Sequence, residues 1–216
     1  MSNDTPRDST DSGQNGQFYL PAETFEHCYE IKKSEFICQL HEVSDRAAAM
    51  SVLASAREQY PDARHHCWAY ILGSPRQAIS QAFNDDGEPS GTAGKPILNV
   101  LQHRGLGNTM AIVVRYFGGI KLGAGGLVRA YSQATQQAIE RCPLACFVPR
   151  QLLTLDCPYD LEPALRRFLE QHQGVVLEQQ YDRSAQFRIS LPKPEIPAFK
   201  TWLSHHFQIN CAFEDE

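Results

Sequence analysis

Ten of the chain's fourteen glycines lie between Gly87 and Gly126, most of them in two short segments that also hold charge of opposite sign. The first, Asp85-Asp86-Gly87-Glu88-Pro89-Ser90-Gly91-Thr92-Ala93-Gly94, carries three carboxylates. The second, Gly118-Gly119-Ile120-Lys121-Leu122-Gly123-Ala124-Gly125-Gly126, contains Lys121 and is flanked by Arg115 and Arg129. Glycine gives up more backbone freedom on folding than other residues. Such density is costly unless the main chain turns sharply or something must approach it closely.

The second segment follows a nearly continuous apolar run, 110–117, and precedes a helical pattern over 126–141. A strand that turns through glycines into a helix N-terminus presents unpaired N–H groups and a positive dipole end. Gly123, Gly125 and Gly126 would let an anion reach that end, with Arg115, Lys121 and Arg129 supplying full charges. The chemistry implied is phosphate or carboxylate binding. The alternative is a tight strand-to-helix turn that uses glycine only for positive φ and close packing.

Neither standard nucleotide motif is present. Gly-x-x-x-x-Gly-Lys-[Ser/Thr] is absent, and Val128 breaks Gly-x-Gly-x-x-Gly after Gly123. In the acidic segment, Asp85, Asp86 and Glu88 could ligate Mg²⁺ bridging a phosphate, or pair with Arg115, Lys121 or Arg129. Thr92 offers a helix cap or a hydroxyl to ligand, and Gly94 a close main-chain approach. His65 and His66 enter a strand as neighbours and must face opposite ways. His66 is taken as the one that reaches the pocket. No Ser or Cys nucleophile is recognisable beside it, so binding is favoured over catalysis. A Mg²⁺-dependent enzyme acting on a small phosphorylated substrate is the alternative.

The elements around these segments follow from periodicity and turn chemistry. Strands are expected at 25–29 and 35–40, and a helix from Asp45 capped by Ser44. A strand-like hairpin over 66–72 and 77–83 and a short helix over 96–103 come next. The stripe Leu127, Tyr131, Ala134 and Ala138 is the buried face of the helix after the second segment. Beyond a linker at 146–150, residues 151–216 read β-α-β-β-α-β, the ferredoxin-like order. The domains expected are thus 18–145 and 151–216, after a disordered tail over 1–17.

Composition bounds the rest. The net charge of −5 divides as −2 over residues 1–17, zero over 18–145 and −3 thereafter. No polybasic footprint exists, so duplex DNA is not an expected partner. No apolar run is long enough to span a bilayer, and the first residues lack the apolar stretch of a secretory signal. Seven cysteines, an odd number without a Cys-x-x-Cys pair, point to reduced thiols and a cytoplasmic protein.

The same residues carry a family likeness. The segment 85–98, the stretch Val114-Arg115-Tyr116-Phe117-Gly118-Gly119-Ile120-Lys121-Leu122-Gly123-Ala124-Gly125-Gly126-Leu127-Val128-Arg129-Ala130-Tyr131, and His66-Cys67-Trp68-Ala69-Tyr70 before them resemble the IMPACT family signature. The match is to its bacterial, YigZ-like branch, covering about 18–145, with a tail like the C-terminal domain of bacterial members. The resemblance implies an α+β protein. Its first domain would share the fold of a ribosomal protein's second domain and the GHMP kinases. Its last would be similar to that of elongation factor G. Eukaryotic relatives regulate translation, which points to RNA, the ribosome or a translation-associated protein as partner. It implies no settled reaction.

Overall fold

The computed structural model describes residues 16–214; the expected tail, except for its last two residues, lies outside them. The chain divides into two compact units, Phe18–Phe147 and the segment from Val148 onward. Both mix helix and sheet, in keeping with the α+β expectation. No helix of the described residues is long and apolar enough to cross a membrane.

The first unit is built on a five-stranded antiparallel sheet. Its strands are β2 (Phe25–Ile31), β3 (Ser34–Glu42), β4 (His65–Ser74), β5 (Gln77–Asn84) and β6 (Thr109–Tyr116). Their order is β2-β3-β6-β4-β5. The β2–β3 hairpin turns through Lys32 and Lys33 at φ 48° and 63°, the left-handed pair that matches strand twist. β6 is central and buried on both faces, so its sequence is apolar without alternation. Ala111 and Val113 face helices α2 (Gly94–His103) and α3 (Ala124–Arg141) in one core. Met110, Ile112 and Val114 face helix α1 (Arg46–Gln59) in another.

Two details depart from the sequence reading. The cap of α1 is Asp45, whose carboxylate accepts the Ala48 N–H at 2.8 Å; Ser44 donates its hydroxyl to Asp45 instead. Aspartate is as good a cap as serine, and the helix starts where its geometry is better satisfied. In addition, β1 (Phe18–Pro21) pairs with β7 (Leu144–Phe147), with the Phe18 and Phe147 rings 4.6 Å apart. Residues 146 and 147, read as linker, are therefore strand. Four-residue strands carry too little pattern to be seen.

The second unit holds β8 (Arg150–Cys157), α4 (Glu162–Gln171), β9 (Val175–Tyr181), β10 (Ala185–Pro192), α5 (Ile196–Ser204) and β11 (Asn210–Phe213). The sheet order is β11-β8-β10-β9, all antiparallel, giving the expected β-α-β-β-α-β succession. Leu153, Leu155, Phe187 and Ile189 pack against Leu165, Phe168 and Phe199 to form its own core.

Candidate functional site

Each carboxylate of the acidic segment has a different task. Asp85 accepts N–H groups from Gly91 at 2.8 Å, Ala93 at 3.0 Å and Gly94 at 2.8 Å. It caps α2 from a distance, because Ala93 at the N-cap position has no side chain able to do so. Asp86 accepts the His66 main-chain N–H at 2.7 Å and pairs with Arg57 at 3.0 Å. Glu88 is buried, pairs with Arg115 at 2.5 Å and accepts the Tyr131 hydroxyl at 2.9 Å. Among the described residues no three His, Cys, Asp or Glu side chains stand together as a metal ligand set.

Of the partners expected for these carboxylates, Arg115 pairs with Glu88, while Asp86 pairs with Arg57, which was not among them. Thr92 donates its hydroxyl to the Pro89 carbonyl at 2.6 Å and so closes the loop, neither capping α2 nor lining the cleft at the start of α3. Gly94 is there for packing. A Cβ would sit 2.7 Å from the Asn84 carbonyl oxygen.

The basic segment begins where β6 leaves the sheet. Gly123 caps α3 at φ 72° and no side chain satisfies that helix end. Its first-turn N–H groups therefore keep the unpaired character of an open helix N-terminus. Gly123 and Ala124 line a cleft of about 370 Å³ together with Arg64, His65, Arg115 and Lys121. Glu88 lies on its floor, and Pro89, Phe117, Leu122 and Leu127 supply apolar walls. The two glycine segments thus meet in one cleft.

Arg115 is the deepest cation. Its side chain is 9% exposed, and its guanidinium lies 5.5 Å from the Phe36 ring centroid and 5.7 Å from that of Phe117. Glu88 engages Nη1, while the buried Nε–H has no partner. Arg129 is elsewhere, in a neighbouring hollow of about 270 Å³ with Tyr29, Lys32 and Gly126.

Strand alternation sorts the histidines. His65 shares the parity of Cys67, Ala69 and Ile71 on the α2/α3 side and lines the cleft. Its Nδ1 lies 2.8 Å from the Asp86 carbonyl, which can only accept, so Nδ1 carries a proton and donates it there. His66 shares parity with Trp68 and Tyr70 on the α1 side and does not reach the cleft. The expectation for His66 is corrected on this point. Adjacent strand residues must diverge, but only the helices packed on each face decide which one goes where.

Burial holds the His66 ring below the usual imidazole range, with Asp86 opposing and Arg57 and His65 adding to the effect. His41 is lowered by burial too, against Glu26. Both rings therefore take up protons more readily when unfolded. This contribution to stability is whole above the unfolded value near 6.5 and is lost as pH falls below it toward the folded values. Urea midpoints should drop between pH 7.5 and 5.5, and less steeply in His66→Gln. An unchanged slope in that variant would remove His66 from the account.

The thiols play no part in the cleft. Cys67 is buried beneath it, donates to the Asp85 carbonyl at 3.0 Å and is pushed up to about 12 by burial. Such a thiol is inert.

Gly125 stands apart from its neighbours. It is exposed, its φ is not positive, and an added Cβ would meet only Arg129 Nη1 at 3.8 Å. Nothing in the fold asks for glycine there, although glycine weakens a helix.

A model of the Impact N-terminal domain matches residues 32–139, and one of a domain of unknown function (DUF1949) matches residues 155–207. An IMPACT family member of Haemophilus influenzae is 41% identical over 81% of this chain and 85% of its own length. The chain belongs to the IMPACT family. YigZ of Escherichia coli, another IMPACT family member, is 39% identical over 86% of this chain and 91% of its own. A crystal structure of a hypothetical protein matches with TM-score 0.65 and 34% identity, covering 94% of this chain and all of that one. Every residue lining the cleft lies within the span matched to the IMPACT N-terminal domain.

Sequence reasoning missed Arg64, His65, Phe117 and Arg57. Arg64 and His65 lie at the entry to β4, and no local motif ties them to a glycine segment more than fifty residues away.

Proposed function

We propose that this protein is a cytoplasmic regulatory binding protein linked to translation, and that its N-terminal cleft takes the phosphate of RNA or of a phosphorylated effector. The observation that carries the reading is buried Arg115, which lines the cleft that the uncapped start of α3 also borders and whose Nε–H has no partner. Buried donors without acceptors are rare in folded proteins. Lys121 and Arg64 add exposed charge at the same cleft, a disposition suited to an anion. The family likeness supports translation as the setting; the second unit would dock on the ribosome, a factor or another protein. The Mg²⁺-dependent enzyme has no comparable support, because the three carboxylates already hold main-chain N–H groups, Arg57 and Arg115.

The test is binding of inorganic phosphate and of short RNA to the full chain across a salt series. Affinity should fall as salt rises, since each neutralised phosphate releases counterions. Lys121→Glu should weaken binding at least tenfold, and Arg129→Glu clearly less, because Arg129 lies in the adjoining hollow. Gly125→Ala should leave the fold as stable as before or up to about 1 kcal/mol more so. Equal effects of Lys121→Glu and Arg129→Glu would move the anion out of this cleft. No binding of either probe at low salt would end the proposal.

A further inference from the structure

We propose, resting on the anion reading above, that the cleft is a site for a nucleoside 5′-monophosphate, either free or at the 5′ end of an RNA strand. Charge comes first. Arg64, Arg115 and Lys121 face one carboxylate, Glu88, so the lining carries two positive charges in excess. A phosphate monoester brings a charge of about −1.5 to −2 at neutral pH, whereas a diester within a strand brings only one. The dianion neutralises this lining and the internal linkage does not.

The apolar wall comes second. Phe117 is 53% exposed, and the Arg115 guanidinium lies 5.7 Å from its ring centroid. Pro89, Leu122 and Leu127 continue the same wall. A lone phosphate or a sugar phosphate has nothing to offer such a surface. A base stacks on it, and stacking on an exposed aromatic is a recurrent, sequence-tolerant way to hold nucleotides. Size comes third. At about 370 Å³ the cleft is near the lower end of ligand cavities, room for one nucleotide.

Calorimetric titration of the full chain separates this from mere phosphate binding. Adenosine 5′-monophosphate should bind at least tenfold more tightly than ribose 5-phosphate, and adenosine should not bind measurably. In Phe117→Ala the preference for the nucleotide over the sugar phosphate should collapse to within about twofold. A trinucleotide with a 5′-phosphate that binds as well as the mononucleotide, its 5′-hydroxyl counterpart being tenfold weaker, assigns the RNA end as ligand; exclusion of both assigns the free nucleotide. Equal affinity for adenosine monophosphate and ribose 5-phosphate overturns the nucleotide assignment while leaving phosphate recognition intact. Failure of phosphate, sugar phosphate and nucleotide alike at low millimolar concentration removes both readings.

Discussion

Replacing Glu88 with alanine should destabilise the N-terminal unit by about 3–5 kcal/mol, the usual cost of leaving one member of a buried pair behind. The Glu88 side chain is 4% exposed and that of Arg115 is 9% exposed, so water cannot substitute for the lost partner. Tyr131 would lose its acceptor at the same time. A loss of this size lowers the melting temperature by on the order of 10 °C. The chain has two tryptophans, Trp68 in the N-terminal unit and Trp202 in the other. Urea unfolding followed through Trp68 in a Trp202→Phe background therefore reads the right unit.

The double variant Glu88→Leu, Arg115→Met is the informative companion. It removes both charges, so it should be more stable than Glu88→Ala alone, since apolar replacement of a buried pair is often neutral. It should also lose phosphate binding. A loss below about 1 kcal/mol for Glu88→Ala would mean that the pair is far more hydrated than its burial indicates.

Gly118→Ala should have the largest effect of any glycine substitution in the basic segment. Its Cβ would fall 1.9 Å from the Lys33 carbonyl oxygen and 2.4 Å from the Ser34 nitrogen. These are backbone atoms of the β2–β3 hairpin, and β3 pairs with central β6 from Glu35 to Glu42. No side-chain rotation relieves such an overlap; the hairpin itself must shift. A loss above about 4 kcal/mol, or failure to fold, is expected.

Gly119→Ala, one residue on, meets nothing within 4 Å and suffers only from φ of 85°. That conformation costs an alanine about 1–2 kcal/mol. With Gly125→Ala near neutral, three glycines of one segment separate into one needed for packing, one for backbone conformation and one that the fold does not require. Similar losses at Gly118 and Gly119 would contradict the close hairpin contact.

Much of this architecture is written in neighbouring residues. The unbroken apolar run of β6, the stripe of Leu127, Tyr131, Ala134 and Ala138 on α3, and the β-α-β-β-α-β rhythm of the second unit all express short-range periodicity. The strand–glycine–helix succession likewise marks an open helix N-terminus, because the N–H groups of a first turn lack partners in any helix. Cap identity is not legible in the same way, since Ser44 and Asp45 stand side by side and both residue types cap well.

The membership of the cleft obeyed other rules. Period-two alternation separates His65 from His66, yet it does not say which face α3 will cover. Asp85 caps α2 across a loop, and Arg57 reaches Asp86 from the end of a helix 29 residues earlier. Arg129 is close to Lys121 in sequence but opens onto a different hollow. Periodicity, capping and glycine placement act over a few residues and can be read along the chain. Which charges meet, and which stay free for a ligand, depends on elements packed across the sheet, where sequence separation has no bearing on distance.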